Sequence, residues 1–283
     1  MIYFLLRVFS SLPLAVMQIL GATIGLITYL SSARYRGLLN HNLSVAAKKY
    51  GFTPAQWSSA MAAGMTFADT LWIWQHPKKS LEISHLDNSE EITSLIEGRQ
   101  GMIVLAPHLG GFEIIPRVFS QKINATVMYK PARISWLNSL MIKCRKHPNM
   151  HFVPASLDGV RKIKRALKNG EVVGILADQV PSVGDGVWAK FFNQFAYTST
   201  FPIKLTRLNK VSTIFVSAER RGLGKGWTIK SKLMKQPFPD DSVEAATVMN
   251  EFFEEMIMLQ PSQYMWSYNR YKRPTGAELA PME

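Results

Sequence analysis

The chain has 283 residues, 47% of them apolar, enough to build a sizeable core and to exclude an intrinsically disordered protein. Lys and Arg outnumber Asp and Glu by 33 to 20, a formal charge of +13 that suits anionic partners: nucleic acid, anionic lipid headgroups or an acidic carrier protein. The single cysteine, Cys144, excludes an internal disulfide and fits a reducing compartment without proving one.

From Val8 to Leu30 no residue carries a charge. At about 1.5 Å per residue this stretch is long enough to cross a hydrocarbon core of roughly 30 Å. A cleaved signal peptide and a buried core helix compete with that reading. Arg34, Arg36, Lys48 and Lys49 follow the segment and only Arg7 precedes it, so the positive-inside rule puts the remainder in the cytoplasm. Whether the segment spans the bilayer or lies in one leaflet is left open. Residues 1–34 are therefore expected to be a membrane anchor and 35–283 an α/β domain.

Residues 53–76 read as a helix opened by Thr53 and Pro54, with Trp57, Met61, Met65, Ala68 and Trp72 at helical spacing. That stripe suits the core better than the membrane surface. After Ser89 the pattern alternates. Strands are predicted at 101–106, 124–129, 151–154, 172–177, 211–216 and 227–231, and helices at 89–98, 112–121, 134–146, 156–169, 199–209 and 243–259. Short apolar strands separated by helical patterns predict a single α/β domain. Its central sheet would be mostly parallel or mixed and flanked by helices.

Ligands of such sheets bind beyond the carboxyl ends of the strands. His108 lies there, after the apolar run GMIVLAP. Gly110 and Gly111 allow a tight turn and close approach of a substrate. Glu113 falls in the first turn of the next helix, from which its carboxylate can return to the imidazole, fix the tautomer and leave the other ring nitrogen to take a proton from a hydroxyl. His-x4-Glu alone is a common spacing, and a strand-end histidine beside a helix-start acid is the plain alternative.

Other features carry less. Cys144, His147 and His151 lack a fourth ligand nearby, so no metal is expected. GLGKG at 222–226 reads as a hairpin turn, and Ser156 and Ser199 sit in no nucleophile elbow. WSYNRYKRP mixes aromatic and basic residues as single-strand binders do. Beside an apolar N-terminus, headgroup contact or packing is the better reading, and no nucleic-acid partner is expected.

Five segments in order resemble the late acyltransferases of lipid A biosynthesis (lauroyl and myristoyl transferases), within the glycerolipid acyltransferase superfamily. They are the His108-x4-Glu113 motif, YKP at 129–131 leading through Arg133 and Asn138 to Arg145, the stretch 158–179 ending in Asp178-Gln179, GVWAKFFNQFAYTST at 186–200, and PSQYMWSYNRYKRP at 261–274. The apolar N-terminus followed by RGLLNHNL fits as well. The resemblance implies transfer of a fatty acyl chain from a thioester on acyl carrier protein, the donor substrate, to a hydroxyl of a lipid A precursor, without a cofactor. It implies His108 as general base oriented by Glu113, and backbone N–H groups near Gly110 and Gly111 as candidates for the oxyanion site. Lys130, Arg133 and Arg145 would contact substrate, and Asp178 and Gln179, at the end of their strand, would either contact substrate or form a buried structural network. The cluster Arg161, Lys162, Lys164, Arg165 and Lys168 is either a docking face or a solvated helix surface. The implied location is the bacterial inner membrane, with the catalytic domain on its cytoplasmic face. An acyltransferase for another glycolipid or lysophospholipid, or a non-catalytic membrane-anchored basic protein, are the competing readings.

Overall fold

The computed structural model describes residues 11–132, 134–207 and 211–282. Helix α1 (Leu14–Ser31) is followed by α2 (Ala33–Tyr50), α3 (Gln56–Gln75), the short α4 (Pro77–Glu82) and strand β1 (Ser84–Leu86). The alternating part then runs α5 (Ser89–Glu97), β2 (Met102–Ala106), α6 (Ile115–Phe119), β3 (Ala125–Tyr129), α7 (Ser135–Arg145), β4 (Met150–Pro154), α8 (Leu157–Lys168) and β5 (Val172–Leu176). A hairpin, β6 (Gly186–Phe191) and β7 (Gln194–Ser199), precedes α9 (Phe201–Thr206), β8 (Ser212–Arg220), β9 (Trp227–Leu233) and α10 (Ser242–Leu259).

Seven strands form one sheet in the order β1-β9-β8-β2-β5-β3-β4, parallel except for the β8–β9 pair. The expected α/β domain with a mostly parallel sheet and one N-terminal apolar helix is therefore observed. β2 is buried along its whole length, which explains why its sequence is an unbroken apolar run.

Right-handed crossovers sort the helices by direction of travel. The chain moves one way along the sheet from β2 to β3 to β4, and the opposite way from β4 to β5 and on to β8. Helices α6 and α7 thus cover one face and α8 and α9 the other. The first face packs Val104, Ala106, Ile114 and Ile115 with Leu14, Met17, Ala68 and Trp72 of α1 and α3. The second packs Ile103, Leu105 and Val173 with Ile163, Leu167, Ile203, Met249 and Phe253.

Three local readings change. Helix α3 begins at Gln56, two residues after Pro54, and Ala55 precedes it without a side-chain cap. Ala68 and Trp72 of its stripe enter the core, while Trp57 stays exposed. Residues 186–199 form a hairpin that periodicity did not reveal, because its two turn residues, Phe192 and Asn193, take left-handed backbone angles (φ 49° and 63°) where Asn-Gly would be the usual signal.

Helix α1 does not stand apart from the domain. Its glycines press against α3: a Cβ on Gly64 would lie 1.9 Å from the Gly21 carbonyl oxygen, and one on Gly25 would lie 2.2 Å from the Ala60 oxygen. Gln18 donates to the buried Asp69 at 2.7 Å, and Asp69 also accepts from Arg220 Nε at 2.8 Å and Trp227 Nε1 at 3.2 Å. A Gly64→Ala substitution should force the two helices apart and cost about 1–3 kcal/mol by overpacking. Thermal unfolding of the purified variant should show a lowered midpoint, with proteolysis reporting earlier release of α1.

Candidate active site

The site begins where β2 stops. Pro107 has no N–H to extend the ladder. The next residues turn across the end of β8. Gly110 adopts φ +55°, and a Cβ there would lie 2.1 Å from the Ala218 oxygen. A Cβ on Gly111 would strike the Trp227 indole at 2.2 Å. Both glycines are thus demanded by close approach of the loop to β8 and β9. Their N–H groups are already committed: Gly110 donates to the Gln263 carbonyl at 3.1 Å and Gly111 to the Ala218 carbonyl at 2.9 Å. The expectation that these amides supply an oxyanion site is corrected, since neither points into open space.

Asp178 is the carboxylate on the imidazole. β2 and β5 pair in parallel with Ala106 opposite Leu176, so two residues further on His108 stands opposite Asp178. His108 Nδ1 lies 2.6 Å from Asp178 Oδ1, and the His108 backbone N–H donates to Oδ2 at 2.9 Å. One carboxylate therefore holds both the ring and the main chain of the same residue. Nδ1 carries the proton in this arrangement, which leaves Nε2 as the acceptor. Gln179 Nε2 sits 3.4 Å from that atom.

Burial opposes the charged form of His108, but the Asp178 charge and hydrogen bond outweigh it and hold the imidazole above its ordinary pKa. Burial likewise works against ionised Asp178, and the histidine together with the backbone N–H outweighs it, so the carboxyl is held below its ordinary value. Burial first, then the nearby Asp178 carboxylate, pushes the Tyr264 phenol well above its ordinary value.

Glu113 occupies a 3-10 turn, Phe112–Ile114, that aims its side chain at α3 and α7 instead of at His108. Its carboxylate accepts from Trp74 Nε1 at 2.9 Å, from Arg145 Nε at 3.1 Å and from Arg145 Nη2. The expected Glu113–His108 hydrogen bond is thus replaced by a bidentate Glu113–Arg145 pair. The pleat register has already given Nδ1 to Asp178, and the turn carries Glu113 away from it. Glu113 still acts on His108 through space, raising its pKa, while Arg145 opposes it. The Arg145 guanidinium in turn lies 5.0 Å from the Phe152 ring centre and 5.4 Å from that of Trp74.

His108, Glu113, Arg145, Lys130 and Gln179 all line one cavity of about 310 Å³. Its remaining walls are mostly apolar: Val104, Val127 and Gly174 from the sheet, Ile115 and Met141 from α6 and α7, and Phe152. A polar mouth on an apolar chamber suits a molecule with a reactive polar end and a hydrocarbon body. Asp178 stands behind His108, 2% exposed, and serves the ring instead of facing the chamber. Arg133 lies outside the described residues. Arg161, Lys162, Lys164, Arg165 and Lys168 are exposed on α8, across the sheet from the cavity, with Lys162 paired to Asp158 at 2.7 Å. Trp74 and Tyr264 were not singled out from sequence. Trp74 stood among the apolar residues of α3, and Tyr264 had only its place in the C-terminal Tyr-x-Trp segment.

The sequence profile of the bacterial lipid A biosynthesis acyltransferases matches residues 1–273. The chain is 25% identical over 274 residues to the lipid A biosynthesis palmitoleoyltransferase of Escherichia coli (strain K12), covering 94% of this chain and 88% of that protein. The same figures hold for the lipid A biosynthesis acyltransferase of Shigella flexneri. The lipid A biosynthesis lauroyltransferase of E. coli (strain K12) is 25% identical over 219 residues, 76% of this chain and 71% of that protein. A match of that extent, on top of a histidine–carboxylate pair at the mouth of an apolar chamber, settles the family: the chain belongs to the bacterial lipid A biosynthesis acyltransferases.

Proposed function

We propose that this enzyme moves a fatty acyl chain from a thioester on acyl carrier protein to a hydroxyl of a lipid A precursor, at a membrane surface on the cytoplasmic side of the inner membrane. Family membership supports lipid A acyl transfer. The observation that carries the mechanism is the Asp178–His108 pair with Nε2 turned to the cavity.

The acceptor hydroxyl gives its proton to His108 Nε2 as its oxygen attacks the thioester carbonyl. Asp178 keeps Nδ1 protonated and stabilises the imidazolium that forms. The tetrahedral oxyanion then collapses, the carbon–sulfur bond breaks, and the proton on Nε2 goes to the departing thiolate. With the Gly110 and Gly111 amides engaged, the Gln179 side-chain amide and Lys130 at the cavity rim are the donors that suit the oxyanion. Glu113 holds Arg145 against the chamber wall and adds negative potential near the imidazolium. The apolar chamber takes the hydrocarbon chain. The strongly basic composition suits both an acidic carrier and a phosphorylated acceptor.

Membranes containing the native protein, given acyl carrier protein loaded with a labelled acyl chain and a tetra-acylated precursor, should form labelled lipid. His108→Ala should lower turnover about 10²–10⁴-fold while the protein stays folded. No product with native protein, or undiminished product with the variant, would overturn the reading.

The pH profile separates Asp178 from a merely structural carboxylate. The base must be neutral, and its pKa is raised, so kcat/KM should climb with pH through an inflection above the ordinary histidine value of about 6.5. In Asp178→Asn the main raising charge is gone, and burial, the largest cause, dominates over the opposed fields of Glu113 and Arg145. The inflection should then move to lower pH, while the plateau rate falls because the tautomer is no longer enforced. An unchanged inflection would remove Asp178 from this role.

A further inference from the structure

The exposed apolar side chains are not spread evenly over the molecule. Helix α1 turns Val16, Ile19, Ile24 and Ile27 outward in one stripe, with Ile24 60% exposed. On α3, Phe67 is 65% exposed. Ile134, Trp136 and Ile142 do the same on α7 and its N-cap. All three helices belong to the layer that covers the cavity-bearing face of the sheet. The opposite layer exposes the cationic helix α8, with only scattered apolar side chains at helix ends, Leu157 of α8 and Val243 and Leu259 of α10.

These helices meet one another. Trp72 Nε1 near the end of α3 donates to the Leu12 carbonyl at 3.2 Å, just ahead of α1. One turn on, Gln75 reaches Cys144 Sγ of α7 at 3.8 Å, and Arg145 of α7 lies over the Trp74 ring. Helix α3 thus bridges the start of α1 to α7 within this layer.

Helix α1 is long and apolar enough to cross a membrane, yet its inner face is built into the domain. Gln18 is fully buried, bonded to Asp69 and to the backbone N–H of Gly224 at 2.7 Å. To cross a bilayer, α1 would have to leave that network or drag Asp69 and Arg220 into hydrocarbon, a heavy desolvation cost. A bilayer surface satisfies both faces at once: the outer stripe enters the acyl region and the inner face keeps its partners. The charge around α7 fits the same occupant. Lys143 and Lys146 are exposed beside Ile142, as suits anionic headgroups, and Trp136 has the amphipathic ring favoured at the interface.

We propose that α1 and α7 form one bilayer-contact face that seats the protein on a single leaflet of anionic phospholipid, with α7 as a second contact distinct from the N-terminal segment. The inner side of α7 supplies Met141 and Arg145 to the cavity wall. A lipid leaving the leaflet at α7 therefore has one helix to pass before it reaches His108. This goes beyond the acyl-transfer reading and does not rest on it.

The test uses the full chain carrying Cys144→Ser, with a nitroxide on one introduced cysteine at a time, bound to vesicles of phosphatidylethanolamine and phosphatidylglycerol. Labels at Val16→Cys, Ile24→Cys and Ile27→Cys should report similar shallow depths in the acyl region. A label at Trp136→Cys should report the interface, and one at Lys164→Cys on α8 should stay in water. Depth that changes steadily along α1 from one headgroup region to the other would overturn the single-leaflet seating. A label at 136 as wet as that at 164 would overturn the α7 contact. Trp136→Asp/Ile142→Asp, both at exposed positions, should keep the native unfolding midpoint and lose about tenfold in vesicle partitioning. Unaltered partitioning would overturn the contact as well. None of these readouts needs turnover, so failure of the acyl-transfer assay with the expected depths counts against the proposed function alone.

Discussion

The site depends on the register between two adjacent parallel strands. Ala106 faces Leu176, and the same pairing carried two residues further sets His108 against Asp178. The main-chain N–H of residue 108 anchors one oxygen of the carboxylate, which leaves the other oxygen placed to hold Nδ1. A one-residue slip would send the two side chains to opposite faces of the sheet. Everything that fixes this register, including the buried β2 and the pairing of its Met102–Leu105 with Ser212–Phe215 of β8, indirectly positions the imidazole.

The second carboxylate has a different task. Glu113 is nearly buried, and its charge is met by Arg145 and the Trp74 indole N–H. Removing Arg145 alone would leave a buried carboxylate without its counter-ion, and removing Glu113 alone would strand a guanidinium packed between aromatic rings. The pair joins the β2 loop, α3 and α7 at the wall of the chamber. Its influence on His108 passes through the field it creates and through the shape of that wall, not through a hydrogen bond.

The sheet, its strands from β2 on outside the hairpin, and the place of His108 at a strand end were legible, because β2 and β5 are continuous apolar runs and their ends carry polar residues. Glu113 was legible as a participant but not in its partner. A contact between positions 108 and 113 is suggested by local spacing, whereas the contact between 108 and 178 requires knowing that the second and fifth strands are neighbours. Single-sequence periodicity carries no information on strand order. The β6–β7 hairpin was hidden for another reason. Its turn uses Phe192 in a left-handed conformation, held by a hydrogen bond from its N–H to the buried Glu254 at 2.6 Å, so a tertiary contact overrides local preference. Gly110 and Gly111 were rightly seen as turn residues, yet the acceptors that engage their N–H groups, Gln263 and Ala218, come from the far end of the chain.

Strand order also explains why the chamber is open where it is. From β2 the chain leaves toward β3, and from β5 it leaves toward β8, so the two connections depart in opposite directions and on opposite faces. Between neighbouring strands whose connections diverge, a crevice remains at the carboxyl ends that no crossover fills. His108 and Asp178 stand on the two lips of that crevice, and Gln179, the next residue after Asp178, lines it. The helices α6 and α7 roof its apolar side, while the C-terminal segment closes the back, with the Met265 N–H donating to the His108 carbonyl at 3.1 Å. The imidazole is thereby open toward the chamber and enclosed on its other sides. Nε2 can be reached from the chamber, whereas Nδ1 and its carboxylate stay out of solvent. That asymmetry keeps the proton acceptor at a single nitrogen.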